Sequence, residues 1–169
     1  LRITLMVAIT TAIGFMLAVR WLGADWAWLT LVGCLAGTSL ACMGASALNQ
    51  SFEQVTDALM PRTRQRPIAA GRVGVTEGLW LGLVLSTAGV VVLGWTTTLL
   101  AAALAVLTIF SYAMIYTPMK RLTSLSTLVG AVPGAMPPMI GYAAVNGTLE
   151  VPAWLVFAIM FLWQLPHFL

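Results

Sequence analysis

The chain has 169 residues, of which 60% are hydrophobic and only 8% charged. Its mean hydropathy is +0.97, and eight basic against five acidic residues give a formal net charge of +3. Because a soluble domain carries about a quarter charged residues, this composition excludes an ordinary water-soluble protein. We expect a lipid bilayer around the chain and no nucleic-acid partner.

Long uncharged runs predict the helices in chain order. A membrane-spanning helix needs about 20 mostly apolar residues, and the run 78–119 is long enough for two, with a polar break at 95–98. No alternating pattern of a transmembrane β-barrel is present. The predicted fold class is all-α, a polytopic transmembrane helical bundle forming a single domain over 1–169. Its six predicted helices lie at about 3–22, 28–52, 76–95, 98–116, 125–145 and from 151 onward.

Polar residues and prolines predict where these helices end. The second helix can continue to Leu59, and Pro61 ends it because proline lacks the amide hydrogen that a helix interior needs. Residues 117–121 are predicted to form a short loop. The fifth helix is predicted to kink or unwind at its three prolines, which are Pro133, Pro137 and Pro138.

Basic residues are distributed asymmetrically over the predicted loops. Six alternating helices place the N-terminus, the second-to-third loop and the fourth-to-fifth loop on one side. Under the positive-inside rule this side is cytoplasmic, or the matrix side in an organelle. The sequence therefore predicts a bacterial plasma-membrane or mitochondrial inner-membrane protein. Seven of the eight basic residues fall on this side: Arg2, Arg62, Arg64, Arg66, Arg72, Lys120 and Arg121.

Three oxygen-bearing side chains share one helix face at the end of the second helix. They are Asn49, Glu53 and Asp57, at spacing i, i+4 and i+8, which spans about 12 Å. Mg²⁺ prefers oxygen ligands and commonly bridges carboxylates to a phosphate. Arginine forks, here Arg62, Arg64 and Arg66, suit phosphate oxygens. The pattern favours a metal–diphosphate site. A plain alternative is that the arginines are topology signals, or that acids and arginines pair for structure alone.

Two further polar features lie later in the chain. Tyr112, Tyr116, Lys120 and Arg121 could complete an anion pocket, although tyrosines and snorkelling basic residues are also common at membrane edges. His167, the sole histidine, could ligate a metal or donate to a substrate, or it could be a structural residue at a helix end.

Three stretches carry a resemblance to a known family. The stretch 49–71, NQSFEQVTDALMPRTRQRPIAAG, resembles the first acidic motif of the UbiA-type intramembrane prenyltransferases, N-x-x-x-[DE]-x-x-x-D followed by M-x-R-T-x-x-R-P. The stretch 116–147, YTPMKRLTSLSTLVGAVPGAMPPMIGYAAVNG, is similar to a YTxxKR…GAxPGAxPPxxGxxA segment, and 161–168, FLWQLPHF, to W-Q-x-P-H-F. All three segments favour the branch of the family that farnesylates heme.

The resemblance implies a site and a reaction. It implies a bundle of about nine helices, with six of them in this chain, and transfer of farnesyl from farnesyl diphosphate to heme B to give heme O. Asn49, Glu53 and Asp57 would be the catalytic Mg²⁺ ligands, and His167 a weaker candidate for contact with heme. The diphosphate would be bound by Arg62, Arg66, Tyr116, Lys120 and Arg121.

Two departures from the family pattern and two alternatives accompany this interpretation. Many relatives carry Asp where this chain has Glu53, and a further Asp where it has Val55. The chain begins without an initiator Met and stops inside an apolar run, so we expect it to be truncated at both ends. The second acidic motif, expected just after 161–168, is not in the sequence, so we expect the chain to be inactive alone. The alternatives are a prenyltransferase acting on another aromatic acceptor, such as a quinone precursor or chlorophyllide, and, less favoured, a membrane transporter.

Overall fold

The computed structural model describes the backbone of residues 2–120 and 126–168 and the side chains of 3–120 and 126–165. No strand occurs in these ranges, which confirms the predicted all-α class. In chain order the elements are α1 Arg2–Leu22, α2 Trp28–Phe52, α3 Gln54–Leu59, α4 Val75–Thr96, α5 Leu99–Phe110, a π-helical segment Ser111–Tyr116, α6 Thr117–Met119, α7 Ser126–Asn146 and α8 Val151–Phe168.

The helices are long and apolar enough to cross a bilayer. Within the described ranges five spans meet that condition: α1, α2, α4, the combined stretch Leu99–Met119, and α7. The sixth predicted span corresponds to α8, which is apolar over Val151–Leu165. Large apolar side chains cover the outside, with Trp95 exposed at 87% and Leu99 at 82%. Such a surface is stable in lipid, and the chain is an integral membrane protein.

Glycines allow α2 and α4 to pack backbone against backbone. A Cβ atom added at Gly89 would lie 2.6 Å from the Gly37 carbonyl oxygen, and one added at Gly37 would lie 2.9 Å from the Gly89 carbonyl oxygen. A second crossing point has the same character, since a Cβ at Gly44 would lie 2.8 Å from the Gly82 carbonyl oxygen. Small residues at helix contacts drive association in membranes because they permit this approach. This contact fixes the end of α2 beside the start of α4.

Replacement of Gly89 by alanine is expected to destabilise the fold. Alanine is about 1 kcal/mol better than glycine in a helix, but its Cβ would lie 2.6 Å from the Ala41 nitrogen, and such overpacking costs about 1–3 kcal/mol. Gly94 is the matched control, because a Cβ there would meet only Ala102 at 3.7 Å. Melting temperatures in detergent should fall for Gly89→Ala and hold or rise for Gly94→Ala. Equal melting temperatures would contradict the close packing.

The central element is α7, which is buried over most of its length. Its Gly141 packs against the Thr11 carbonyl of α1, and Gly14 of α1 packs against the Pro138 carbonyl. The helix continues through its three prolines to Asn146, so the unwinding that was predicted as the alternative to a kink does not occur. Neighbouring helices enclose this segment, and an unwound backbone there would leave polar groups without partners.

Two groups of contacts define the two ends of the bundle. At one end the Trp21 indole nitrogen donates to the Glu150 carboxylate at 2.9 Å, which brings the end of α1 to the start of α8. At the other end, Lys120 contacts Glu53 at the end of α2. This arrangement agrees with the predicted alternation of helices. The prediction of a loop at 117–121 is wrong for residues 117–119, which continue the helix as α6. Residue 121 lies outside the described residues.

Candidate active site

The three predicted oxygen donors lie together at the end of α2. Glu53 interrupts the helix with φ −100° and ψ 9°. Its N–H still donates to the Asn49 carbonyl at 2.9 Å, and the Asp57 N–H donates to the Glu53 carbonyl at 2.8 Å. The i, i+4, i+8 spacing therefore survives the break. All three side chains are buried, with Asn49 at 7%, Glu53 at 3% and Asp57 at 4% exposure.

The short helix α3 has its polar side turned inward. Asp57 is buried, whereas Val55 is exposed at 72% and Leu59 at 80%. Apolar side chains that face outward beside a buried acid are the reverse of a helix in water. The arrangement fits a helix at the membrane edge that presents a carboxylate to the interior of the bundle.

Arg66 pairs with Asp57. Its Nη1 lies 2.7 Å from the Asp57 Oδ2, and 37% of the arginine side chain is exposed. The loop that carries it is folded: the Ala70 N–H donates to the Arg66 carbonyl at 2.8 Å, and the buried Ile68 packs against Gly78 of α4. The Thr63 hydroxyl donates to the Asp57 carbonyl at 3.0 Å. The folded loop thus places the Arg66 guanidinium in contact with the Asp57 carboxylate.

Glu53 is held by donors from two elements. The Asn49 side-chain amide donates to Oε2 at 2.9 Å, and Lys120 Nζ lies 3.3 Å from Oε1. The lysine side chain is 46% exposed, so it reaches in from the surface. Each buried carboxylate is therefore matched by a cation whose own side chain retains access to the outside.

Thr117 is a site residue to which the sequence analysis assigned no role. Its hydroxyl donates to the Asn49 Oδ1 at 2.9 Å, and the residue is only 3% exposed. It lies directly after the π-helical segment, a feature often found at functional sites. The signal that could have found it is its named position in the YTxxKR segment, and Thr63 likewise stands at the threonine of M-x-R-T-x-x-R-P.

The other predicted residues are distributed differently. Tyr116 stacks on Tyr112 with ring centroids 5.5 Å apart and packs against Gly130. Among the described side chains no hydrogen bond links Tyr116 to the acids. Arg62 is exposed, and no ion pair forms between it and the described acids. The structure thus brings Arg66 and Lys120 to the acids, whereas Arg121 and the His167 side chain lie outside the described residues.

The donor set matches what Mg²⁺ uses. Two buried carboxylates and one amide oxygen are hard oxygen ligands, and Mg²⁺ commonly takes one or two carboxylates together with waters and substrate phosphates. No group of three or more His, Cys, Asp or Glu side chains suited to a metal occurs in residues 2–120 and 126–168. Asn49, Glu53 and Asp57 therefore fit a shared site completed by a phosphate, rather than a closed protein cage.

Comparisons with known proteins identify a family. The model of the UbiA prenyltransferase family matches residues 7–169. Protoheme IX farnesyltransferase of Sorangium cellulosum is 47% identical over 135 residues, covering 80% of this chain and 48% of the relative. Its namesake in Solibacter usitatus is 44% identical, covering 99% and 59%. The chain thus spans about half the length of the curated relatives it matches.

A solved structure shares the fold. The apo structure of a UbiA homolog from Aeropyrum pernix superimposes with a TM-score of 0.79 at 22% identity, covering 96% of this chain and 60% of that one. At that identity the likeness concerns the helical fold. It agrees with the all-helical architecture described above.

Proposed function

The chain belongs to the UbiA prenyltransferase family, and we propose that the protein containing it transfers the farnesyl group of farnesyl diphosphate to a vinyl group of heme B, giving heme O. Relatives at 40–47% identity bear the name protoheme IX farnesyltransferase, in Sorangium cellulosum and as a second form in Bacillus subtilis. The observation that carries the proposal is the pairing of two buried acids with two half-exposed cations.

The residues of this chain have distinct tasks in that reaction. Asn49, Glu53 and Asp57 would hold Mg²⁺, which supplies charge neutralisation to the diphosphate when bound. Arg66 and Lys120 would move from their carboxylates to the diphosphate oxygens, because a bound cation takes over the acids. Their charge then stabilises the diphosphate as it leaves.

The proposed reaction has three steps. The allylic C–O bond of farnesyl diphosphate breaks, and its electron pair leaves with the diphosphate. The terminal vinyl carbon of heme B attacks the allylic cation and forms a C–C bond, which leaves the positive charge on the vinyl carbon attached to the porphyrin ring. Water adds to that carbon and loses a proton, which leaves a hydroxyethylfarnesyl group. Apolar walls protect the first cation from premature hydrolysis.

We further propose that the site faces the cytoplasm of a bacterium, or the matrix of a mitochondrion. The basic loop 60–74 and Lys120 lie at the same end of the bundle as Glu53 and Asp57. Basic loops remain on that side of a membrane. An acidic pair of this kind at a helix end also disfavours a transporter, in which ion-coupling acids lie near the bilayer midplane.

The proposal predicts a pigment of defined mass. Membranes containing the full-length protein, supplied with heme B, farnesyl diphosphate and Mg²⁺, should form a product heavier by one farnesyl group plus water, seen by chromatography and mass spectrometry. Chelation of Mg²⁺ should stop its formation, and added Mg²⁺ should restore it. Consumption of farnesyl diphosphate only with another aromatic acceptor would reassign the substrate, and no consumption with any acceptor would reject the prenyltransferase proposal.

A further inference from the structure

The hydroxyl of Thr117 is available to Asn49 because of the π-helical segment. In that segment the Thr117 backbone N–H donates to the Tyr112 carbonyl, five residues back. The Thr117 hydroxyl lies 2.9 Å from the same carbonyl and 2.9 Å from the Asn49 Oδ1. A hydroxyl has one proton to donate. Since the Tyr112 carbonyl already accepts from the backbone N–H, the hydroxyl can donate to Asn49 without leaving that carbonyl unpaired.

One orientation of the Asn49 amide satisfies both of its partners, Glu53 and Thr117. A side-chain amide has an oxygen acceptor and an NH₂ donor of nearly equal shape. With the oxygen facing Thr117, the NH₂ group donates to Glu53 Oε2 at 2.9 Å. In the flipped orientation the amide oxygen would face the carboxylate, and Glu53 would lose a donor while buried. The Glu53 carboxylate, which only accepts, sets this orientation, and the Thr117 hydroxyl holds it by donating to the amide oxygen.

The π-helical segment also places Thr117 and Lys120 toward α2. One residue turns an α-helix by about 100°, so the wider turns of Ser111–Tyr116 rotate everything that follows. Thr117 then contacts Asn49, and Lys120, one turn later, contacts Glu53. The same stretch of chain thus contributes both partners to neighbouring ligand residues.

We propose that Thr117 is a positioning residue of the metal–diphosphate site. Its hydroxyl holds the Asn49 amide so that Oδ1 keeps its second lone pair for a cation, while Nδ2 holds Glu53 in place. The inference rests on the proposed function, because it concerns the ligands of that site. It goes beyond it in assigning a role to a side chain that contacts neither the cation nor the diphosphate.

Three variants of the full-length protein separate this role from packing. Thr117→Val keeps the shape and removes the hydroxyl, while Thr117→Ser keeps the hydroxyl and removes a methyl group. Thr108→Val is the matched control, since the Thr108 hydroxyl donates only within its own helix, to the Leu104 carbonyl at 2.7 Å. The readout is the Kd of the magnesium complex of farnesyl thiolodiphosphate, a non-reacting analogue, measured by titration calorimetry without heme, alongside the melting temperature.

Thr117→Val is expected to weaken binding of the analogue about tenfold or more, the usual effect of losing a group that orients a metal ligand. Thr117→Ser should stay within about threefold of the parent, and Thr108→Val should bind as the parent does. The inference is overturned if Thr117→Val binds like Thr108→Val, or if serine is worse than valine. Absence of binding by the parent protein would overturn the proposed function as well. If the parent protein binds the analogue but forms no product from heme B, only the identity of the acceptor is wrong.

Discussion

Asp57→Asn is expected to lower prenyl transfer by at least about 100-fold, because the substitution removes a charge that the site needs when diphosphate departs. Asparagine has nearly the same shape, and the buried position can accept it without a cavity. Membrane insertion and the elution profile in detergent should therefore remain as in the parent. The measurement is the rate of farnesylated pigment formation by the full-length protein at saturating heme B.

The matched control is Asp25→Asn, which removes an exposed acid in the loop between α1 and α2, at the other end of the bundle. It should leave the rate unchanged. A second comparison tests whether Asp57 and Arg66 form an ion pair with a purely structural role. The readout is the binding of Mn²⁺, used in place of Mg²⁺. If Asp57 serves only to neutralise Arg66, then Asp57→Asn and Arg66→Met should affect Mn²⁺ binding equally. We expect Asp57→Asn to abolish Mn²⁺ binding and Arg66→Met to retain it, and an equal effect would reject the metal role of Asp57.

Glu53→Gln is expected to lower the same rate by about 100-fold. The glutamine has one acceptor oxygen, so it can accept from the Asn49 NH₂ (2.9 Å from Oε2 in the parent) or from Lys120 (3.3 Å from Oε1), and its own NH₂ then faces the other donor. Glu53→Asp keeps the charge on a shorter side chain. It should retain far more activity than Glu53→Gln.

The control for Glu53 is Glu150→Gln. Glu150 accepts a hydrogen bond from the Trp21 indole at 2.9 Å at the opposite end of the bundle, and glutamine can still accept it. Its rate should equal that of the parent. A Glu53→Gln protein that turns over as fast as Glu150→Gln would remove Glu53 from the site, and the Mg²⁺ dependence of both proteins would then coincide.

The site could be predicted in composition but not in its pairings. The spacing of Asn49, Glu53 and Asp57 predicted that they share a face, and the structure buries all three and keeps the backbone hydrogen bonds that join them four residues apart. Five basic residues of the two polar clusters were candidates in the sequence, and one of them, Arg121, lies outside the described residues. Only Arg66 and Lys120 contact the acids in the described structure, because the folding of the loop and the rotation of α6 decide which cation reaches inward.

The loop predicted at 117–119 and the unwinding predicted as one alternative for α7 are both absent, and for one reason. Proline in α7 and a polar stretch at 117–119 are helix-ending signals in water, where a freed backbone group finds a solvent partner. In this bundle the backbone stays helical at both places, because an unwound segment in lipid or among packed helices would leave its N–H and C=O groups unpaired.

The sequence by itself determined the class, the approximate helices and the end at which the charges gather. These follow from the length of apolar runs relative to the bilayer thickness and from the side on which basic loops remain, and both are properties of local composition. The motifs also indicated the family, which the family match confirms. The tertiary structure alone decided the contacts of Thr117 with Asn49 and of Lys120 with Glu53, across 68 and 67 residues. Such pairs depend on how helices rotate and approach, and that is set by glycine contacts and a π-helical turn that no local pattern encodes.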